Sequence, residues 1–510
     1  MTANHPAEHP VDGAYGLLRA GARSRADAVF LLFAADADEP VEISYVEQLR
    51  RADETAGLLA GLGVGPGDRV HLMTPNRPEF LDVWFACARL GAVVVPVNPL
   101  STSGEVAHQL ADSRAVVSVV DPALRATVEA AAGDRAVLTL DEIVARRAGA
   151  TPPPPHDRTD VAAIMFTSGT TSVPKGVQVT HANYLRAGRA VAEHLGLTAE
   201  DRWLVTLPLF HGNAQYYCLM SALVSGASVA LTSRFSATGW PRQARDLRPT
   251  IASLFAAPIR MLLARSEPDP ADVDTALRLV LFAQNLAEAQ AAEFEARFGA
   301  PLVQLYGMTE TVVPPFVNPL DERRRWDSIG LPLPGVRARV VDEQGDPVPA
   351  GTPGELQIGG TPGVDVTPGY DGRPEATAAL FDGEWLRTGD LVRLDELGRA
   401  FFVDRAKDMV KRAGENVAAS EVEQVLGAHP AVLESAVHGI PDPVYDEAIV
   451  AHVVLRPGSR AEPAELIEWC RERLSRFKVP ETVVVREELP RTSVGKIRKD
   501  ALRAEFAASS

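Results

Sequence analysis

Thr167-Ser-Gly-Thr-Thr-Ser-Val-Pro-Lys-Gly176 follows directly on the apolar run Val161-Ala-Ala-Ile-Met-Phe166. Its ten residues carry five hydroxyl side chains, two glycines and one lysine. The apolar run reads as a strand that delivers the chain into a loop dense in hydrogen-bond donors. Backbone N–H groups, hydroxyls and one ammonium can converge there on a polyphosphate, because glycine lets the backbone approach without a steric barrier. This is not a Walker A loop. That loop needs a Ser or Thr directly after its lysine to take the metal, and here Gly176 follows Lys175. The competing reading is a Ser/Thr-rich surface loop.

Upstream, residues 46–60 have helical periodicity, followed by Gly61-Leu-Gly-Val-Gly-Pro-Gly67 and the strand-like Arg69-Val-His-Leu-Met73. The glycine run is not a dinucleotide fingerprint: Pro66 stands at the last glycine position, and the order is helix–turn–strand. It reads as a helix C-cap and turn. An amphipathic segment from Pro78 to Leu90 leads to the buried-strand runs Ala92–Val97 and Ala115–Val120. Strands alternating with helices predict a parallel α/β architecture.

Thr151-Pro-Pro-Pro-Pro155 predicts a stiff spacer before the phosphate-loop strand. Beyond residue 330, short β-like pieces (Val336–Val341, Gly354–Ile358, Ala400–Val403) predict a small barrel or distorted sheet. From about residue 408 the pattern alternates helix and strand, enough for a compact α+β lid.

Composition limits the function classes. With 510 residues, 46% hydrophobic and 23% charged, the chain is a globular protein of two to four domains. A net charge of −16 argues against broad nucleic-acid or anionic-membrane binding, since both need a basic face. Cys87, Cys218 and Cys470 are far apart, odd in number and without metal spacing, as expected of core thiols in a reducing compartment. Neither a signal peptide nor a run of the ~18 apolar residues needed for a membrane span is visible, so the expected location is cytoplasmic.

Several downstream motifs are weak alone. Tyr306-Gly-Met-Thr-Glu310 follows the strand-like Leu302–Leu305; its aromatic, hydroxyl and carboxylate suit base stacking, phosphate bonding and Mg²⁺, or an ordinary turn. Thr388-Gly-Asp390 is expected in a turn after Trp385-Leu-Arg387, its carboxylate placed to accept from two ribose hydroxyls. Arg405 sits where the chain leaves the β-like region, and Pro490-Arg-Thr-Ser-Val-Gly-Lys496 puts a lysine after a glycine hinge.

In this order and spacing, the set resembles the adenylate-forming superfamily of acyl-CoA synthetases, adenylation domains and luciferase-like enzymes, from about residue 25 to 505. The resemblance implies an α/β fold with a large N-terminal domain (1–406) of α/β subdomains plus a β-barrel-like subdomain. A small mobile α+β lid (407–510), hinged at Lys407, completes it. It implies ATP and Mg²⁺ as cofactors, a carboxylic acid as substrate and coenzyme A as the usual second substrate.

The same resemblance assigns roles. Thr167, Ser168, Gly169, Thr170, Thr171 and Lys175 close over the β- and γ-phosphates, and Glu310 helps hold Mg²⁺. Thr309 contacts the α-phosphate, Tyr306 with Gly307 stacks on adenine beside Gln284 and Asn285, and Asp390 with Arg405 binds the ribose. Lys496 bridges the acid and the α-phosphate during adenylation. Rotation about Lys407 then brings Gly414, Glu415 and Asn416 to the site, with Gly414 leaving room for a pantetheine arm. A homodimer is one assembly entertained, and no motif fixes it.

Two stretches depart from the common family pattern: Phe282-Ala-Gln-Asn-Leu286 beside adenine and Tyr445-Asp-Glu-Ala448 in the lid. Both occur in the branch similar to carnitine/crotonobetaine-CoA ligases, which shares Arg324–Gly330 and Val403–Arg405. By position, the acid pocket draws on Phe210, His211, Asn213, Gln215, Gln284, Asn285, Met308, Val312 and Val313, with His211 near the carboxylate. The amide side chains imply a short or polar acid, since a long alkyl tail would leave them unpaired. A small aromatic or amino-substituted acid fits as well as a betaine. The alternative is an adenylating enzyme of secondary metabolism that passes the acid to a carrier protein, an amine or nitrite.

Overall fold

The computed structural model describes residues 13–35, 39–147, 149, 157–167, 174–284, 286–412, 415–442, 446–492 and 497–509. The polyproline spacer 151–155 lies outside them.

Two large sheets form the N-terminal region. The first has six strands, in the order Ala136–Thr139, Val117–Val120, Arg69–Met73, Val93–Val97, Val161–Thr167 and Lys175–Thr180. It is parallel except for the last pair, which is antiparallel. The strands that flank the phosphate-loop candidate are therefore antiparallel neighbours, with Thr167 opposite Lys175. The second sheet has nine strands, six of them parallel at its centre. Leu279–Ala283 and Leu302–Tyr306 are neighbours in that centre, so their carboxyl ends open on one edge, where α/β sheets bind ligands.

The helix Pro78–Leu90 shows how the layers join. Pro78 starts it where a missing N–H costs nothing, and Gly91 ends it in the left-handed region at φ 65°. All but one of its thirteen residues are buried, so it packs on every side, and its core is continuous with the inner faces of both sheets. The helix Tyr45–Gly61 ends in a turn through Gly63 at φ 90°, as the glycine run predicts.

A smaller antiparallel sheet follows, built from Arg337–Val341, Gly354–Gly359, Trp385–Leu394, Phe381–Asp382 and Ala400–Arg405. Here one expectation fails. Thr388-Gly-Asp390 is not in a turn but inside the ten-residue strand Trp385–Leu394. The glycine that suggested a turn sits at φ 68° within the strand, where the pairing with both neighbouring strands shifts register close by. Such irregularities re-aim side chains at functional sites.

After Arg405 a short 3₁₀ turn, Ala406–Asp408, leads to a C-terminal sheet of Glu415–Val417, Val410–Arg412, Asp446–Leu455, Val432–Asp442 and Thr482–Arg486. Helices Ala419–Gly427 and Pro463–Arg471 share a core with it that contains only residues from Val410 onward, which makes this a domain with its own hydrophobic centre. Cys87, Cys218 and Cys470 are all buried. Among the described residues, no helix is long and apolar enough to cross a membrane.

Candidate active site

Tyr306 ends its strand with its hydroxyl donating to Asp390 Oδ2 at 2.6 Å, and Arg405 Nε lies 3.2 Å from Oδ1 of the same carboxylate. Asp390 and Arg405 are register partners in neighbouring strands, so the sheet itself sets the pair. Thr388 Oγ1 accepts from the Asp390 N–H at 3.1 Å and donates to the Leu356 carbonyl at 2.7 Å, which pins the carboxylate's backbone. Burial is the largest influence on Arg405 and works against its charge, but Asp390, Tyr306, Asp408 and Glu310 together outweigh it and raise the guanidinium's pKa. Gln284 sits beside this cluster in the left-handed region at φ 78°, its carbonyl accepting from Gln304 Nε2 at 3.1 Å. Asn285 lies outside the described residues.

Glu310 follows in a turn held by Thr311, whose Oγ1 both accepts from the Met308 N–H and donates to the Met308 carbonyl, each at 3.1 Å. Val312 is forced to φ 54°, a conformation that β-branched residues rarely adopt. Strain of this kind collects at functional sites, where surrounding contacts over-determine it. The Glu310 side chain is 6% exposed, and its Oε1 accepts from the Tyr370 hydroxyl at 2.9 Å. Lys175 Nζ stands 4.9 Å from the centroid of that same ring. Thr309 is half-buried next to Glu310. Of the loop itself, Thr167 and Lys175 are described; Ser168, Gly169, Thr170 and Thr171 are not.

The donor set suits magnesium. Mg²⁺ takes hard oxygen ligands and is commonly held by one or two carboxylates together with substrate phosphates. Among the described residues there is no group of three or more His, Cys, Asp or Glu that could build an all-protein cage, and Glu310 is the carboxylate beside the phosphate loop.

The acid-pocket candidates begin with Phe210 and His211, which pack ring to ring at 4.5 Å and lie next in the chain to a π-helix, Asn213–Leu219. Two of the amides have partners within the protein. Gln215 is fully buried; its Nε2 donates to the Leu209 carbonyl at 2.6 Å and its Oε1 accepts from the Tyr184 hydroxyl. Asn213 Oδ1 accepts from Ser253 Oγ at 2.8 Å. Gln215 thus has both ends of its amide paired inside the protein, as has Asn213 Oδ1. Val312 and Val313 are buried, and Met308 is half-buried. Gly307 has no room for a side chain: a Cβ there would overlap the Tyr217 hydroxyl.

Lys407 lies in the Ala406–Asp408 turn, and Glu415 pairs with Arg412 across a hairpin. Gly414, Lys496, and the side chains of Lys407 and Asn416 lie outside what is described. The geometry thus brings Lys175, Glu310, Tyr306, Asp390 and Arg405 to one edge of the second sheet.

The sequence profile of the AMP-binding enzyme family matches residues 18–371, and that of the AMP-binding enzyme C-terminal domain matches residues 421–496. The chain belongs to the AMP-binding enzyme family.

This AMP-binding enzyme is 36% identical over 482 residues to a crotonobetaine/carnitine–CoA ligase of Salmonella enteritidis, covering 91% of this chain and 93% of the relative. Its fold matches the anthranilate CoA ligase AuaEII in complex with anthranoyl-AMP at a TM-score of 0.90, with 27% identity and full coverage of both chains (100% each). It also matches the O-succinylbenzoate coenzyme A synthetase of Bacillus subtilis in complex with ATP and magnesium at a TM-score of 0.85, with 28% identity over 96% of this chain and 99% of that one. The AMP-binding enzyme is an AMP-forming acid–CoA ligase. Two residues packed against the candidate site, Tyr370 and Tyr217, escaped the sequence reading. Nothing local says that the Tyr370 ring reaches Glu310, sixty residues away.

Proposed function

We propose that this ligase activates a compact carboxylic acid as its adenylate, with pyrophosphate leaving, and transfers the acyl group to coenzyme A with release of AMP. The observation that carries the compact acid is the closure of the pocket wall: the Tyr217 hydroxyl fills the space beside Gly307, and Tyr184, Tyr216 and Tyr217 pack edge to face behind it. Betaines of the kind named for the Salmonella relative and small aryl acids of the kind named for AuaEII head the range.

The chemistry asks a carboxylate to attack the α-phosphorus of ATP, so like charges must meet. Catalysis therefore consists of positioning and charge neutralisation. Tyr306, with Gln284 beside it, offers a face for adenine, and Asp390, steadied by Arg405, accepts from the ribose hydroxyls. Lys175 and the hairpin loop hold the β- and γ-phosphates, while Thr309 bonds the α-phosphate. Glu310 would hold Mg²⁺, which when bound neutralises phosphate charge. His211 orients the acid, and Lys496 bridges acid and α-phosphate. Rotation of the 407–510 lid about Lys407 then exchanges Lys496 for the Lys411–Asn416 face.

Pyrophosphate exchange across acids graded by size, with AMP release followed with and without coenzyme A, tests this. Exchange should peak with compact acids, and AMP release should require coenzyme A. A maximum at long-chain acids would overturn the pocket reading. AMP release indifferent to coenzyme A but stimulated by an amine, a carrier protein or nitrite would overturn the acceptor.

A further inference from the structure

The segment Thr367–Asp371 has no part in the roles above, yet it touches both halves of the phosphate machinery. Its backbone is stitched to the exit strand of the phosphate loop: Gln178 N donates to the Gly369 carbonyl at 2.9 Å, Asp371 N donates to the Gly176 carbonyl at 2.8 Å, and Tyr370 bridges Val177. On its other side, Thr367 N donates to the Glu310 carbonyl at 2.9 Å. Gly369, at φ 139°, packs so tightly on Thr377 that a Cβ would overlap it, and Thr377 Oγ1 accepts from the Tyr370 N–H at 2.9 Å. The backbone that carries Tyr370 is thus fixed on three sides.

We propose that Tyr370 is a positioning residue that couples the magnesium carboxylate, Glu310, to the phosphate-loop lysine, Lys175. One face of the ring lies under the Lys175 ammonium at 4.9 Å, and the hydroxyl donates to Glu310 Oε1 at 2.9 Å. By donating to Oε1, the hydroxyl fixes the orientation of the carboxylate that would hold the cation. The π face gives the ammonium a resting place from which it transfers to phosphate oxygens. The side chain thereby aligns two charges that must act on the same polyphosphate. The inference rests on the proposed roles of Glu310 and Lys175.

Calorimetric titration of full-length enzyme with ATP, once with Mg²⁺ and once with EDTA, gives the enhancement of ATP affinity by the cation without any turnover. Tyr370→Phe keeps the ring and removes the hydroxyl. It should reduce that enhancement by about tenfold, the scale on which partners of metal ligands act, and lower the pyrophosphate-exchange kcat without moving the KM for the acid. Glu310→Gln should abolish the enhancement, and Tyr370→Phe/Glu310→Gln should behave as Glu310→Gln alone, since both changes cut one coupling. Tyr370→Leu, which removes the ring as well, should further weaken ATP binding in EDTA. Retention of the full enhancement in Tyr370→Phe while Glu310→Gln loses it would overturn the inference and leave the role of Glu310 standing. Retention in both would overturn that role, and the inference with it. A fall in thermal stability without change in the Mg²⁺ enhancement would reduce Tyr370 to packing and equally overturn the proposal.

Discussion

Val312 is held at φ 54° by a fully buried side chain, and two opposing terms decide what a substitution does there. Glycine would relieve roughly 1–2 kcal/mol of left-handed strain, while losing the isopropyl group from the core costs about 2–3 kcal/mol. Alanine loses most of the burial and keeps the strain. Chemical denaturation should therefore rank wild type above Val312→Gly and Val312→Gly above Val312→Ala, the reverse of the usual order of glycine and alanine. Alanine as the more stable of the two would mean that the strain carries no energy. Gly307 poses a cleaner steric question. A methyl group there meets the Tyr217 hydroxyl, and Tyr217 is 5% exposed, with little space to retreat. Gly307→Ala should raise the KM for the acid by at least about tenfold, in line with single-methylene effects in substrate pockets. Removing the hydroxyl in Gly307→Ala/Tyr217→Phe should recover part of it; steady-state kinetics that show no recovery would place the collision elsewhere.

Pairs of strands carry the chemistry that single residues cannot. In the C-terminal sheet, Val432–Asp442 and Asp446–Leu455 bring His438 and His452 together with their Nε2 atoms 3.0 Å apart, under Phe506 of the C-terminal helix. One imidazole must donate and the other accept, so the pair is built for neutral rings. Burial above all lowers both to about 4, helped by Arg503 and Lys499 at His438 and by His438 and Arg486 at His452. The Gly439 backbone bond opposes it at His438 and Glu505 at His452. Because these folded values lie below the unfolded value of about 6.5, the unfolded chain binds protons first. The stabilisation is complete above about pH 6.5 and is lost as pH falls towards 4. Hydrogen exchange across 432–455 should accelerate over that window, and His452→Gln should flatten the dependence; an acid response unchanged by the substitution would assign it to other groups. The same long-range pairing explains what the sequence could and could not disclose. Pro78–Leu90 was legible because its cap, its period and its glycine stop are all local. Asp390 was misplaced in a turn, since only pairing with Gly354–Gly359 and Ala400–Arg405 reveals a strand around Gly389. Gln215 looked like a ligand for a polar acid because its partners, Tyr184 and the Leu209 carbonyl, meet it only in the fold. Tyr370 was invisible for the same reason.

Across the whole molecule, the two half-reactions ask for two different surfaces at one site, and the chain between them is firmly connected. Asp404, next to Arg405, accepts from the Ser420 N–H at 3.1 Å and so holds the first turn of the helix Ala419–Gly427. Glu423 of that helix pairs with Lys499 at 2.7 Å, three residues beyond Lys496. Lys499 is thereby tied, through one helix, to the strand that carries the Arg405–Asp390 pair. Lys496→Ala should damage one half-reaction alone. Pyrophosphate exchange should fall by about 10²–10³, the usual scale for removing one charge-stabilising donor, while thioester formation from supplied acyl-adenylate and coenzyme A should stay near the wild-type rate. Lys496→Arg keeps a cation but changes its reach, so it should recover only a fraction of the exchange. Equal losses in both half-reactions would mean that Lys496 supports the packing of the lid and not the charge of the attack.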